Sequence, residues 1–286
     1  MVTPFASDGS LDLDGAAALG RWLTENGSDG ILVAGTTGEA PVLTDPERLD
    51  LVRAVSEAVT VPVLAGLTTN DTEHSLGLTR QARDLGAAGV LAVTPYYNRP
   101  SQAGLAAHFG VIAEATDLPV MLYDIPVRTG RKIAAETILS LVSRHSNVVA
   151  VKDAAGDPMA ASGLIADAPT GFELYSGDDG LTLPLMAVGA VGVVSVASHW
   201  TGVAMKKCLE SFVAGDVVAA AEGNKGLLSS YRFEGSDRWP NPMPTKAILR
   251  AMGLPAGECR LPMGPADAEL DAAAGDLIAE LGLPRG

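Results

Sequence analysis

The sequence of 286 residues has few cysteines, few histidines and few aromatic residues. Its two cysteines, Cys208 and Cys259, are far apart and form no CxxC or other metal-binding spacing. The four histidines are also scattered, with no HxH or HxxxH pair. We therefore predict no metal site, and we interpret the sparse cysteines as those of a protein from the reducing cytoplasm.

Basic residues and long apolar runs are also scarce. There are 20 Lys and Arg against 34 Asp and Glu, which gives a formal net charge of −14. This balance argues against nucleic acid or an anionic membrane as a partner, because both are bound by basic patches. The longest apolar stretch, residues 184–198, contains glycines and is shorter than the roughly 20 residues of a spanning helix. Residues 1–10 lack the features of a secretion signal, so we expect a soluble cytoplasmic protein.

What the sequence does have is an alternation of short apolar runs with longer segments of helical periodicity. The runs lack period-2 alternation, so both faces of each strand should be buried, as in a parallel sheet between helices. Because no GxGxxG follows the first clear strand, we predict an α/β fold of the (β/α)8 TIM-barrel class rather than a doubly wound sheet. Strands are predicted over residues 31–34, 61–65, 89–93, 119–123, 147–151, 172–176 and 191–196, with an eighth over 1–5.

The strand signals stop after about residue 214. Three helices are predicted beyond it, over residues 215–233, 244–253 and 266–282. The predicted domains are a catalytic barrel over 1–214 and a C-terminal helical domain over 215–286, for which we expect a structural or oligomeric role.

The most informative residue is Lys152, which follows the apolar run at 147–151. Burial disfavours the charged form of a lysine and leaves an amine that attacks carbonyl carbons. In the alternative interpretation, Lys152 extends to solvent or pairs with Asp153 or Asp178. The carboxyl end of a barrel strand is where catalytic residues collect, so its position favours an imine-forming lysine.

Other side chains at strand ends fit the same chemistry. Tyr123 ends the neighbouring strand and could relay protons with nearby threonine and tyrosine hydroxyls, although it could also be a core aromatic. The sequence GTTGE (35–39) offers hydroxyls and backbone N–H groups to a small carboxylate, but such residues also form ordinary turns. Arg128 could bind a second carboxylate or form a surface ion pair. Together these residues favour an α-keto acid trapped as an imine on Lys152.

The ordered motifs resemble those of the dihydrodipicolinate synthase family, within the superfamily of N-acetylneuraminate lyase and the class I pyruvate aldolases. The resemblance implies a lyase that condenses pyruvate with L-aspartate 4-semialdehyde, giving 4-hydroxy-tetrahydrodipicolinate in the diaminopimelate route to lysine. The motifs are GTTGE (35–39), TPYYNRPSQ (94–102), LYDIPVRTG (122–130), VKDAAG (151–156), YSGDD (175–179), GVVSVAS (192–198), PNPMPTK (240–246) and RLPMGP (260–265).

The resemblance also implies roles for particular residues. The proton relay would use Tyr123, Thr36 and Tyr97, with Tyr97 reaching into a neighbouring subunit. Substrate would be bound by Thr37, Val194, Gly177 and Arg128, the last on the carboxylate of L-aspartate 4-semialdehyde. The imine on Lys152 would make a cofactor unnecessary. A homo-oligomer is implied, at least a dimer and, by the resemblance, a tetramer built as a dimer of dimers.

Two alternatives stay open on the sequence. Other pyruvate-dependent lyases share the barrel and the lysine, but Arg128 suits a carboxylate better than a polyol chain. A barrel that only binds a metabolite or a partner should lack the full set of nucleophile and relay residues.

Two features depart from the family pattern. Only Met1 and Val2 precede the segment Thr3-Pro4-Phe5, so we expect a truncated first strand and a natural start upstream. His74 stands where lysine-inhibited relatives are expected to carry an acid, which predicts weak inhibition by lysine.

Overall fold

The computed structural model describes residues 1–284. Within them it forms strands β1 (Ile31–Val33), β2 (Val63–Ala65), β3 (Gly89–Val93), β4 (Val120–Asp124), β5 (Val148–Asp153), β6 (Glu173–Ser176) and β7 (Gly192–Val193). The α-helices are α1 (Leu13–Glu25), α2 (Asp45–Ala58), α3 (Thr72–Thr79), α4 (Gln102–Glu114), α5 (Pro126–Thr129), α6 (Ala135–Arg144), α7 (Pro158–Asp167), α8 (Thr182–Met186), α9 (Ser198–Val213), α10 (Val217–Phe233), α11 (Met243–Ala251) and α12 (Ala268–Leu281). Short 3-10 helices lie at Ala40–Val42, Arg83–Leu85 and Asp179–Leu181.

The chain divides into two compact units. The first unit comprises Met1–Val63 together with Val196–Gly286, and the second unit comprises Leu64–Ser195. The division predicted from the sequence, at residue 214, stays a prediction.

The second unit contains a parallel sheet in which β2 to β7 pair in chain order. Every residue of β4 is buried, and in β5 only Val149 is partly exposed. The expectation that the apolar strands are covered on both faces is therefore confirmed for the strands that carry Tyr123 and Lys152. The register places Tyr123 beside Lys152 and Lys152 beside Tyr175.

Each of the seven predicted internal strands is present, and the last one is the most shortened. The run predicted over 191–196 forms a ladder only at Gly192–Val193. The N–H of Val194 still donates to the carbonyl of Ser176 at 2.8 Å, so the chain continues beside β6 for one more residue.

No strand is formed at residues 1–5, so the prediction of a strand there is wrong. Phe5 makes one isolated antiparallel bridge with Leu11, and the Met1 ammonium donates to the carbonyl of Leu32. Pro4 has no N–H to donate, which prevents a continuous ladder through this segment.

The three helices predicted beyond residue 214 are confirmed as α10, α11 and α12. Aspartates cap two of them: Asp216 accepts from the N–H of Ala219, and Asp267 accepts from that of Leu270. None of the described helices is both long enough and apolar enough to cross a membrane.

Candidate active site

Lys152 and Tyr123 converge at the carboxyl ends of β5 and β4. Lys152 is only 8% exposed and Tyr123 is also buried. The Nζ atom of Lys152 lies 4.3 Å from the centroid of the Tyr123 ring. The predicted proximity of the two side chains is confirmed, and it follows from the parallel register that sets them side by side.

The carboxylates that could have paired with Lys152 are engaged elsewhere. An oxygen of Asp153 accepts from the backbone N–H of Ala155 at 2.8 Å. An oxygen of Asp178 accepts from the N–H of Leu181 at 3.2 Å. The Lys152 ammonium instead contacts the ring of Tyr123. The geometry therefore supports the imine-forming interpretation of Lys152 over the ion-pair interpretation.

Gly177 provides the space for the stem of Lys152. It follows β6, and its N–H donates to the carbonyl of Asp153 at 2.7 Å. A Cβ at this position would lie 2.9 Å from the Cβ of Ala154 and 3.0 Å from the Cε of Lys152. Any side chain here would therefore displace the lysine or its neighbour, which explains why a glycine occupies the position.

Tyr97 lies on a fixed loop after β3. Its backbone is in the left-handed region with φ 74°, and its side chain is 92% exposed. The loop is held because the amide of Asn98 donates to the carbonyl of Asn70 at 3.0 Å. In return, the amide of Asn70 donates to the carbonyl of Tyr96 at 3.2 Å. A strained backbone in a held loop thus presents an aromatic side chain to the exterior of the chain.

Arg128 is exposed on α5, in a loop whose base is closed by Asp124. An oxygen of Asp124 accepts from the N–H of Ile133 at 3.1 Å. The guanidinium of Arg99 donates to the carbonyl of Gly130 at 2.9 Å and holds the far side of the loop. The loop held by these two hydrogen bonds carries Arg128, the arginine predicted to bind a carboxylate.

The other predicted site residues also lie at strand ends, one in the second unit and two in the first. Val194 follows β7 and is partly buried. In the first unit, Thr36 and Thr37 follow β1 and are also partly buried. The carbonyl of Thr36 accepts from the N–H of Glu39, and the hydroxyl of Thr37 accepts from the amide of Asn241 at 2.9 Å.

Two carboxyl groups beside the candidate pair have raised pKa values, which the sequence did not predict, although it did indicate Asp153 as a possible partner of Lys152. Asp124 directly follows Tyr123, and Asp153 directly follows Lys152. Burial raises the pKa of Asp124 to about 6, against the opposing effects of the Ile133 N–H and the Lys132 ammonium. Burial also raises the pKa of Asp153. The signal in the sequence is an acid directly after each residue of the pair, in YD and KD, where each strand ends.

Comparison with known proteins gives concordant matches over nearly the whole chain. The family model described as the dihydrodipicolinate synthetase family matches residues 1–281. The 4-hydroxy-tetrahydrodipicolinate synthase of Moorella thermoacetica is 50% identical over 265 residues, which cover 92% of this chain and 90% of the relative.

Solved structures agree with the sequence comparison. The dihydrodipicolinate synthase of Bacillus anthracis has a TM-score of 0.94 and 42% identity, and the match covers 98% of this chain and 95% of that one. The enzyme of Cyanidioschyzon merolae with lysine bound has a TM-score of 0.95 and 41% identity, over 99% of this chain and 96% of that one. The predicted fold class, a (β/α)8 barrel with C-terminal helices, is confirmed by these matches.

The close packing at Gly177 predicts a local stability effect. We expect Gly177→Ala to lower the free energy of unfolding by about 1–3 kcal/mol, because the added Cβ overpacks the stem of Lys152. Gly180→Ala is the matched control, since its Cβ would meet only an oxygen of Asp178 at 3.4 Å. Urea unfolding of both variants measures the difference. Equal losses would show that the contact with Lys152 is not the cause.

The buried Asp124 predicts a pH dependence of stability. Its native pKa of about 6 lies above its ordinary value of 3.8, so the native state binds the proton more tightly than the unfolded chain. The stability that this group contributes is present below about pH 4 and is lost as the pH rises through about 6. Asp124→Asn keeps an acceptor for Ile133 without the charge. Its stability relative to the wild type should therefore rise between pH 4 and pH 7, by roughly 3 kcal/mol.

Urea unfolding at several pH values measures this difference. Asp117→Asn is the control, since Asp117 is an exposed carboxylate 3.3 Å from Arg83, and its effect should change by less than about 1 kcal/mol over the same range. A constant difference between Asp124→Asn and the wild type would contradict the assignment.

Proposed function

The chain belongs to the dihydrodipicolinate synthetase family, and from this premise we propose that it is a lyase with 4-hydroxy-tetrahydrodipicolinate synthase activity. It condenses pyruvate with L-aspartate 4-semialdehyde in the diaminopimelate route to lysine. The observation that carries the proposal is the convergence of the buried Lys152 with Tyr123 at the carboxyl ends of adjacent strands. A buried lysine beside a phenol has the two groups that imine formation requires, an amine nucleophile and a proton carrier.

The first half of the reaction forms the imine. The unprotonated amine of Lys152 attacks the keto carbon of pyruvate and gives a carbinolamine. The hydroxyl of Tyr123 delivers a proton to the departing oxygen, and water leaves as the C=N bond forms. The protonated imine then withdraws electrons from the pyruvyl methyl group, which gives a proton to the Tyr123 oxygen and becomes an enamine.

The second half forms the carbon–carbon bond. The enamine carbon attacks the aldehyde carbon of L-aspartate 4-semialdehyde, and the aldehyde oxygen takes up a proton. The amino group of this substrate then attacks the imine carbon and displaces the amine of Lys152, so the ring closes and the enzyme is regenerated. No cofactor enters the cycle, because the imine on Lys152 is itself the electron sink.

The other residues have roles in binding and proton transfer. Thr36 and Tyr97 complete the hydroxyl relay with Tyr123. The pyruvyl group is held by Thr37, Val194 and Gly177. Arg128 binds the carboxylate of the aldehyde substrate, for which the planar guanidinium offers two parallel hydrogen bonds.

Tyr97 supports an oligomeric enzyme. A tyrosine that is 92% exposed, on a loop fixed by Asn70 and Asn98, is well placed to enter the active site of a second copy. The working enzyme is then at least a dimer, and a tetramer formed as a dimer of dimers follows from the family resemblance. Cytoplasmic location and weak inhibition by lysine stay predictions.

Substitution of Arg128 tests the assignment of the second substrate. We expect Arg128→Ala to raise KM for L-aspartate 4-semialdehyde by roughly 10- to 100-fold, the loss of one charge-assisted carboxylate contact. KM for pyruvate should stay within about twofold. Arg83→Ala removes an exposed arginine of the same unit and should change neither constant. Steady-state kinetics with each substrate varied in turn provides the measurement.

The same assay separates this activity from that of related lyases. The wild type is expected to condense pyruvate with L-aspartate 4-semialdehyde faster than with any sugar aldehyde. A preference for a sugar aldehyde, or an equal rise in both KM values for Arg128→Ala, would contradict the proposed substrate.

A further inference from the structure

A second buried lysine lies in the first unit, outside the residues assigned to the reaction. Lys246 on α11 is 0% exposed. Its Nζ lies 2.6 Å from Oε1 of Glu39 and donates to the carbonyl of Glu258 at 3.0 Å. The same atom lies 4.1 Å from the centroid of the Phe5 ring. A lysine without solvent contact requires such partners, because an unpaired buried charge is strongly destabilising.

The partner of Lys246 is the last residue of the GTTGE sequence. Glu39 is buried, and its backbone adopts the left-handed conformation with φ 56°. Its second oxygen, Oε2, accepts from the backbone N–H of Arg260 at 2.9 Å. Both carboxylate oxygens are therefore held by the C-terminal part of the chain. A residue with a side chain in this conformation persists only where the surroundings hold it.

The two residues before Glu39 are held in the same way. The hydroxyl of Thr3 donates to the carbonyl of Gly38 at 2.6 Å, and the amide of Asn241 donates to the hydroxyl of Thr37 at 2.9 Å. Three consecutive residues of the turn are thus fixed by segments that are remote in sequence. The motifs PNPMPTK (240–246) and RLPMGP (260–265) contribute three of these contacts, through Lys246, Asn241 and Arg260.

The charges near Lys246 and Glu39 favour an ion pair between these two residues. Burial lowers the pKa of the Lys246 ammonium, and attraction to the Glu39 carboxylate opposes that effect. Burial raises the pKa of the nearby Cys259 thiol to about 12, so this thiol stays neutral and does not compete for the ammonium. The Glu39 carboxylate, 2.6 Å from the ammonium, is the partner of Lys246 in an ion pair. Loss of either group leaves the other buried without its counter-charge.

We propose that Lys246 is a positioning residue which, through Glu39, holds the turn of Thr36 and Thr37 in the conformation that receives pyruvate. The inference rests on the proposed function, in which Thr37 binds the pyruvyl group. Thr37 lies two residues from Glu39, so rotation of the Glu39 backbone out of its left-handed conformation would displace the threonine hydroxyl. A misplacement of about 1 Å in a binding group is enough to weaken an interaction by large factors.

The test compares how substitution changes the affinity for pyruvate and the KM for the aldehyde substrate. In the paired variant Lys246→Met/Glu39→Gln, both buried charges are removed together, so no unpaired ion is left to unfold the chain. We expect its Kd and KM for pyruvate to rise about tenfold, with KM for the aldehyde substrate within about twofold of the wild type. Lys246→Arg keeps a cation beside Glu39 and should retain most of the wild-type affinity for pyruvate. Calorimetric titration with pyruvate and steady-state kinetics provide the readouts.

Two controls separate positioning from a general loss of stability. Lys206→Met removes a half-exposed lysine that pairs with Asp29 at 2.6 Å in the same unit. Ser230→Ala removes the buried hydrogen bond from the indole of Trp200 at 3.0 Å. Both should leave pyruvate affinity unchanged, and Ser230→Ala should do so although it lowers stability.

The outcomes are distinct. A folded paired variant with wild-type pyruvate affinity overturns the positioning role of Lys246. If this paired variant does not fold, a second pair without either charge, Lys246→Leu/Glu39→Gln, decides by the same readouts, and unchanged pyruvate affinity again overturns the role. If the wild type itself binds no pyruvate, the proposed function fails, and the inference fails with it.

Discussion

The contact between the Lys152 ammonium and the ring of Tyr123, 4.3 Å from nitrogen to ring centroid, depends on the register of β4 and β5. Side chains alternate between the two faces of a strand, so a slip of one residue in either strand would send one partner to the opposite face. Both strands are buried along almost their whole length, so a slip would also displace the apolar side chains packed against them. Gly177 then leaves room for the lysine stem. The chemistry of the site therefore depends on how these two strands pack.

Within residues 1–284, two lysines are buried, and their neighbours give them different properties. Lys246 is paired with the Glu39 carboxylate at 2.6 Å, which stabilises the ammonium and suits a structural role. Lys152 lies against a tyrosine ring, while Asp153 is engaged by the backbone N–H of Ala155. A lysine that contacts an aromatic ring instead of a carboxylate can more readily act as an amine nucleophile. The difference lies in the partner, since both side chains are almost completely buried.

Features set by local pattern could be predicted from the sequence, and features set by long-range pairing could not. The internal strands follow from their apolar runs, and the proximity of Lys152 and Tyr123 follows from their positions at the ends of successive strands. The pairing of Glu39 with Lys246 joins residues that are distant in sequence, and neither motif indicates the other. The prediction of an N-terminal strand was wrong because Pro4, which has no N–H to donate, interrupts the ladder that the apolar residues around it suggested. The raised pKa values of Asp124 and Asp153 depend on burial, which the sequence does not give.

The whole proposed mechanism depends on an imine between Lys152 and pyruvate. The most direct measurement is incubation of the protein with pyruvate and borohydride, followed by intact mass spectrometry and peptide mapping, with Lys152→Ala in parallel. We expect one reduced pyruvyl group per chain, located on Lys152, and none in the variant. An unmodified wild type, or a pyruvyl group on a different lysine, would contradict it.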